Sequence, residues 1–214
     1  VALGEMGAAL VVYDTGVRRG LGESGYNDRR GEAECGEALI AQTLGCADGC
    51  KLGSVSLEQF ERVSHALPAS IARRCEHVVR ENERVVKSVA ALKDRDLHTF
   101  GQLMYESHES LRDLYEVSCP ELDEAVEIAR RTPGVFGARM TGAGFGGCTI
   151  NLVSRDRVEQ LQSRLSEIRC ASPSGVPAAF AVEAADGARV CRVRRPSEDS
   201  DSLRREGRPT GNCE

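Results

Sequence analysis

With 214 residues, 41% hydrophobic and 29% charged, the chain has the make-up of an ordinary globular protein and material for one large domain or two small ones. A net charge of -5 excludes a general attraction to nucleic acid or to an acidic membrane surface, and no run of about 18 apolar residues offers a membrane-spanning helix. The opening Val1-Ala2-Leu3-Gly4-Glu5 has neither an initiating methionine nor a basic leader, so the sequence reads as starting inside a longer one.

Residues 8–15 are apolar and β-branched enough for a buried strand, after which Gly16, Gly20, Gly22 and Gly25 loosen the backbone. From Asn27 to Leu44, Ala33, Ala38, Leu39 and Ile40 recur at helical spacing and Gly45 supplies the stop. Ser56 with Gln59 predicts a capping box at the head of a short helix reaching Ala66. Residues 69–93 carry one apolar side made of Ile71, Cys75, Val78, Val79, Val85, Val86, Val89 and Leu92, and residues 96–115 repeat the pattern with Leu97, Phe100, Leu103 and Met104. Pro120 suits the first turn of a third helix whose inner stripe is Leu122, Ala125, Val126 and Ala129. Extended segments at 134–138 and 148–153 flank a glycine run. A helix over 156–168 and strands near 178–183 and 189–194 complete the order. Strand, helices, two strands, helix, strand predicts an α+β fold, a ferredoxin-like split β-α-β sheet with packed helices. Beyond Pro196, Ser, Asp, Glu, Arg and Gly dominate, and the 195–214 tail is expected to be disordered.

Nine cysteines in a chain this size need not be a disulfide framework, and reduced thiols are expected. Cys46 and Cys50 have ligand spacing, but no second Cys/His pair accompanies them to make a zinc site.

The richest stretch is Thr141-Gly142-Ala143-Gly144-Phe145-Gly146-Gly147-Cys148, with four glycines in six positions. Without Cβ atoms the backbone can approach a ligand closely, adopt dihedrals closed to other residues and aim several N–H groups at one anion. The run joins two strands, so it is neither a Walker loop nor a Rossmann fingerprint, both of which open a helix. A phosphate-handling loop and a plain glycine-rich hairpin both fit. Ser107, His108, Ser110 and Asp113 share one helix and diverge, which favours a structural role over a hydrolytic triad. Glu121 and Asp123 suit the N-terminal end of a helix.

Residues 107–123 (SHESLRDLYEVSCPELD), the loop at 139–148 (RMTGAGFGGC), residues 24–35 (SGYNDRRGEAEC) and Ala185-Asp186-Gly187-Ala188 occur in an order that resembles the C-terminal half of the galactokinases, members of the GHMP small-molecule kinases. The resemblance spans residues 1 to about 194. It implies that 1–55 ends the N-terminal or central region and carries a sugar-contacting loop, that 56–194 is the GHMP kinase C-terminal domain, and that the ATP-binding N-terminal half is largely absent. It further implies that Gly142, Ala143, Gly144, Phe145, Gly146 and Gly147 border the phosphate-transfer site, that Tyr26 contacts the sugar, and that Arg18 lies near the reacting groups. Taken without the resemblance, Tyr26 is as well explained as a surface plug and Arg18 as a solvated charge. At Gly20 many galactokinases carry a nucleotide-contacting serine, so that contact is in doubt here. The implied activity is ATP-dependent phosphorylation of galactose at its anomeric hydroxyl, with Mg2+ and with the catalytic aspartate and magnesium ligands upstream of Val1. N-acetylgalactosamine kinase and a non-catalytic sugar-sensing regulator remain as alternatives. A cytoplasmic, monomeric protein without nucleic-acid or membrane partners is expected, inactive as the isolated chain because phosphoryl transfer rests on positioning and charge stabilisation from both halves.

Overall fold

The computed structural model describes residues 3–18, 25–45, 50–168 and 178–183. Gly20, Cys46, Cys170, the strand expected near 189–194 and the 195–214 tail lie outside these described residues.

Alternating burial of an apolar segment produces the first strand, β1 (Ala8–Asp14). It is followed by α1 (Tyr26–Leu44), α2 (Leu57–Val63), α3 (Ala69–Lys93), α4 (Leu97–Asp113) and α5 (Pro120–Arg130). The strands β2 (Val135–Thr141) and β3 (Cys148–Ser154), the helix α6 (Val158–Ser166) and the strand β4 (Ala178–Val182) complete the described elements. The expected capping box is present. Ser56 accepts from the Gln59 N–H at 3.1 Å while the Gln59 side chain accepts from the Ser56 N–H at 2.9 Å. Asp96 accepts from the Thr99 N–H at 3.0 Å at the head of α4, and Pro120 with Glu121 and Asp123 opens α5.

The sheet runs in the order β2-β3-β1-β4 with antiparallel neighbours, the split β-α-β arrangement expected from the sequence. Although β1 comes from the 1–55 stretch, it lies inside the sheet, paired on one side with β3 and on the other with β4. Its register sets Asp14 opposite Cys148, which brings the exit of β1 to the end of the glycine run.

One sheet face presents Val11, Tyr13, Ala138 and Val153 to Ala125, Ala129, Leu161 and Leu165 of α5 and α6. Leu161 and Leu165 are fully buried, each stabilising the fold by roughly 2 kcal/mol. The opposite face meets α4 through Ala8, Leu97, Met104 and Leu152. There α4 and β2 touch backbone to backbone: a Cβ on Gly101 would sit 2.1 Å from the Phe136 carbonyl oxygen, and one on Gly137 2.2 Å from that of Gly101. A separate cluster, with Ile40, Phe60, Val63, Cys75 and Val79 at its centre, joins α1, α2 and the first half of α3.

Two expectations are corrected. Val85, Val86 and Val89 are 55%, 71% and 47% exposed, so these three members of the α3 stripe do not enter the core. At 25 residues α3 spans about 37 Å, and the residues it packs against α1 and α2 all lie in its first half. Cys50 is disulfide-bonded, against the expectation of reduced thiols, while Cys35, Cys75, Cys119 and Cys148 are free.

His77, buried between α3 and α4, has Nδ1 2.8 Å from the Ser110 hydroxyl and its ring 4.7 Å from that of Tyr115. Burial, opposed by Glu81 and assisted by Arg84 and Arg139, pushes its imidazole down to about 4. An unfolded histidine titrates near 6.5, so between those values the unfolded chain binds more protons. Stability is therefore complete above about pH 6.5 and falls by on the order of a few kcal/mol as pH drops toward 4. Thermal melts should reveal this slope, and His77→Gln should flatten it; an equal slope in the variant would assign it to other groups.

Candidate functional site

Three segments converge at the end of the sheet where β1 finishes. The loop between β2 and β3 folds over the residues that follow β1. There the Thr15 N–H and hydroxyl both donate to the Gly147 carbonyl, at 3.0 and 2.7 Å, and the Gly147 N–H donates to the Val17 carbonyl at 3.1 Å. On its other flank the Phe145 N–H donates to the Val117 carbonyl, in the turn between α4 and α5, at 2.7 Å.

The glycines divide by what surrounds them. A Cβ on Gly144 would lie 2.2 Å from the Val117 oxygen and one on Gly146 2.7 Å from the Val17 oxygen, so these two permit backbone contact with the flanking segments. Gly142 and Gly147 hold φ of 84° and 82° with nothing within 4 Å of such a Cβ. They need glycine for conformation, and their free side faces open space. The loop, Val17 and Arg18 line a hollow of about 430 Å³. Because the Phe145 and Gly147 N–H groups point into protein, an anion in the hollow would have to be met by other amides of the loop.

Arg18 lines this hollow with its side chain 63% exposed. Its guanidinium donates two bonds to the Asp14 carboxylate, at 2.8 and 2.5 Å, and these hold the Asp14 carboxyl below the usual carboxylate range. The positive charge offered to the hollow is thereby partly compensated. Tyr26, the first residue of α1, is 43% exposed and does not line the hollow. Its neighbour Gly25 lies against the Phe145 ring, where a Cβ would come within 3.0 Å, so the start of α1 rests on the loop.

His108 has a structural place. Only 1% exposed, it accepts the Met140 N–H at Nδ1 over 3.3 Å, which leaves Nε2 to carry the proton toward Asp123 Oδ1 at 3.2 Å. Asp123 also accepts from the Ser118 hydroxyl at 2.5 Å. Burial works to raise the Asp123 carboxyl, but the bonds from His108 and Ser118 outweigh it and leave it below its ordinary value. His108 thus ties α4, β2 and α5 together just before the loop. Ser107 turns away, donating to Glu81 at 2.5 Å. Among the described residues, no three His, Cys, Asp or Glu side chains converge to hold a metal ion.

The loop's two carbonyl anchors, Val17 and Val117, were invisible in the sequence because a carbonyl acceptor is independent of side-chain type. His108 and Asp123 were legible as residues but not as partners.

Residues 88–169, which include α4, α5, the loop and both of its strands, match the family described as GHMP kinases C terminal. Residues 88–169 thus form a GHMP kinase C-terminal domain. The chain is 41% identical over 184 residues to the galactokinase of Clostridium beijerinckii, covering 86% of this chain and 46% of that protein. It is 41% identical over 190 residues to the galactokinase of Bos taurus, covering 89% and 46%. Among solved structures it is similar to Lactococcus lactis galactokinase complexed with galactose, with a TM-score of 0.74, 36% identity, and coverage of 83% of this chain and 45% of that one. The chain spans about half the length of the curated relatives it matches. No helix among the described residues is long and apolar enough to cross a membrane.

Proposed function

We propose that this chain is the C-terminal half of a galactokinase, an enzyme that transfers the γ-phosphoryl group of ATP to the anomeric hydroxyl of galactose to give galactose 1-phosphate. One observation carries the reading. The glycine loop, Arg18 after β1, and the start of α1 bearing Tyr26 meet at one end of the sheet, in a chain 41% identical to galactokinases.

In this reading ATP supplies the phosphoryl group, and the open side of the loop at Gly142 and Gly147 lets bare backbone come close to it. Ala143, Gly144, Phe145 and Gly146 complete the loop's shape. Arg18, poised by Asp14, adds positive charge at the rim, and the Tyr26 hydroxyl contacts the sugar. Gly20 leaves only its backbone for the nucleotide. The magnesium ligands and the group that takes the sugar proton belong, in this reading, to the half that the relatives possess beyond this chain. The enzyme is taken to be a cytoplasmic monomer.

The test is to express the full reading frame and measure ATP-dependent phosphorylation of galactose, N-acetylgalactosamine and glucose. Galactose should be the preferred acceptor, and Tyr26→Phe should raise the galactose KM about tenfold, the value of one lost hydrogen bond to a substrate hydroxyl. Preference for N-acetylgalactosamine would transfer the assignment to that kinase; no phosphorylation of any sugar would overturn it.

A further inference from the structure

Arg74 is 2% exposed, the most deeply buried charge among the described residues. Its guanidinium donates to Glu32 of α1 at 2.8 Å, to Glu116 in the turn after α4 at 2.7 Å, and to the Leu114 carbonyl. Arg29 of α1 pairs with the same two carboxylates, at 2.9 Å to Glu32 and 3.6 Å to Glu116, and Arg73 adds a bond to Glu116 at 3.0 Å. The four groups Arg74, Glu32, Arg29 and Glu116 close a ring of alternating charge that links α1, α3 and the α4–α5 turn.

The ring has neighbours on both sides of the proposed active site. Arg29 and Glu32 lie within two turns of Tyr26 on α1. Glu116 immediately precedes Val117, whose carbonyl takes the Phe145 N–H of the glycine loop. Both Glu116 and Phe145 adopt left-handed backbone, with φ of 56° and 59°, although neither is glycine. Such strain persists only where surrounding interactions over-determine it, and it collects at functional sites. Bonds from Arg74 and Arg73 hold the Glu116 carboxyl below its ordinary value despite opposing desolvation, so it is charged at neutral pH.

We infer that Glu116, clamped by Arg74, is a positioning residue that fixes the glycine loop relative to the helix carrying Tyr26, and so sets the spacing between the phosphoryl and sugar subsites. This rests on the galactokinase reading for its catalytic consequence, but the mechanical coupling it asserts does not. Loss of the clamp lets Val117 and the loop drift, and misplacement on the order of 1 Å costs turnover more than binding.

The experiment uses Glu116→Gln, which keeps shape and removes charge, and Arg29→Gln, which removes the direct pairing of α1 with Glu116 while Glu32 and Arg74 still tie α1 to the ring. Lys51→Ala, which removes an exposed ion pair with Glu37 far along α1, is the control. In the full-length enzyme, Glu116→Gln should lower kcat about 10- to 100-fold with the KM for both substrates nearly unchanged, and Arg29→Gln should show the same split at smaller size. In the chain described here, the Phe145 amide should exchange with solvent about tenfold faster in Glu116→Gln while β3 amides keep their protection. Unchanged Phe145 exchange, or faster exchange spread equally over β3, would overturn the inference and leave the ring an ordinary stabilising network. A wild-type enzyme inactive on galactose would sink the functional reading, and the exchange result would still decide the coupling.

Discussion

Gly101→Ala should lower the melting temperature of this chain by about 10 °C. The added Cβ would fall 2.1 Å from the Phe136 oxygen, 2.3 Å from its carbonyl carbon and 2.9 Å from the Gly137 nitrogen. All three are backbone atoms of β2, at the bulge between the Val135 and Gly137 pairings with β3, and none can rotate away as a side chain can. Helix α4 would have to lift off the sheet. It would pull Leu97 and Met104 away from Ala8 and Leu152 and stretch the Met140 N–H bond to His108. Overpacking of this kind costs about 3 kcal/mol. Gly31→Ala, on an exposed stretch of α1 where nothing lies within 4 Å of the new Cβ, should instead stabilise by about 1 kcal/mol, because alanine favours a helix interior. Equal melting temperatures for the two variants, measured by calorimetry, would refute the close approach of α4 and β2.

Gly144→Ala in the full-length enzyme should reduce turnover about 100-fold or more, while Gly142→Ala should leave the fold nearly intact and impair handling of ATP. The two positions have almost the same φ, 86° and 84°, so the cost of left-handed backbone, about 1–2 kcal/mol, is common to both. What separates them is surroundings. The Gly144 methyl would meet the Val117 oxygen at 2.2 Å and the Met140 side chain at 3.0 Å, prising the loop off the turn that holds it. The Gly142 methyl meets no protein atom and would occupy the open side where a phosphoryl group is proposed to lie. A raised ATP KM in Gly142→Ala with a melting temperature lowered by only a few degrees is the expected signature. If the run were a plain hairpin without a ligand, Gly142→Ala would not alter turnover, so this variant discriminates the two roles open from the sequence.

Much of the domain was written in short-range pattern. The capping box at Ser56 and Gln59, Pro120 at the head of α5, the strand before Asp14 and the glycine run between two strands each depend on residues a few positions apart, and each is found where the pattern puts it. The order of elements then left few topologies, because a strand-helix-strand unit beside a hairpin closes most simply as a split β-α-β sheet. Family resemblance added the expectation that the loop borders a phosphate-transfer site.

Other features depend on which surfaces meet. Helical periodicity assigned Val85, Val86 and Val89 to the same stripe as Val78 and Val79, but burial requires a partner along the whole length of α3, and the α1–α2 cluster ends first. Nothing local in the sequence marks Arg74 for burial, and only the arrival of Glu32 and Glu116 from distant elements makes it tolerable. The bonds from the loop to the Val17 and Val117 carbonyls use atoms that every residue possesses, and the Gly101–Gly137 contact joins two glycines that nothing in their own neighbourhoods distinguishes. The sequence by itself determined the elements, their caps and the presence of a bare-backbone loop, because those follow from local sterics and periodicity. Tertiary structure alone decided which glycines pack and which stay open, which charges are buried, and what holds the loop, because those depend on contacts between residues far apart in the chain.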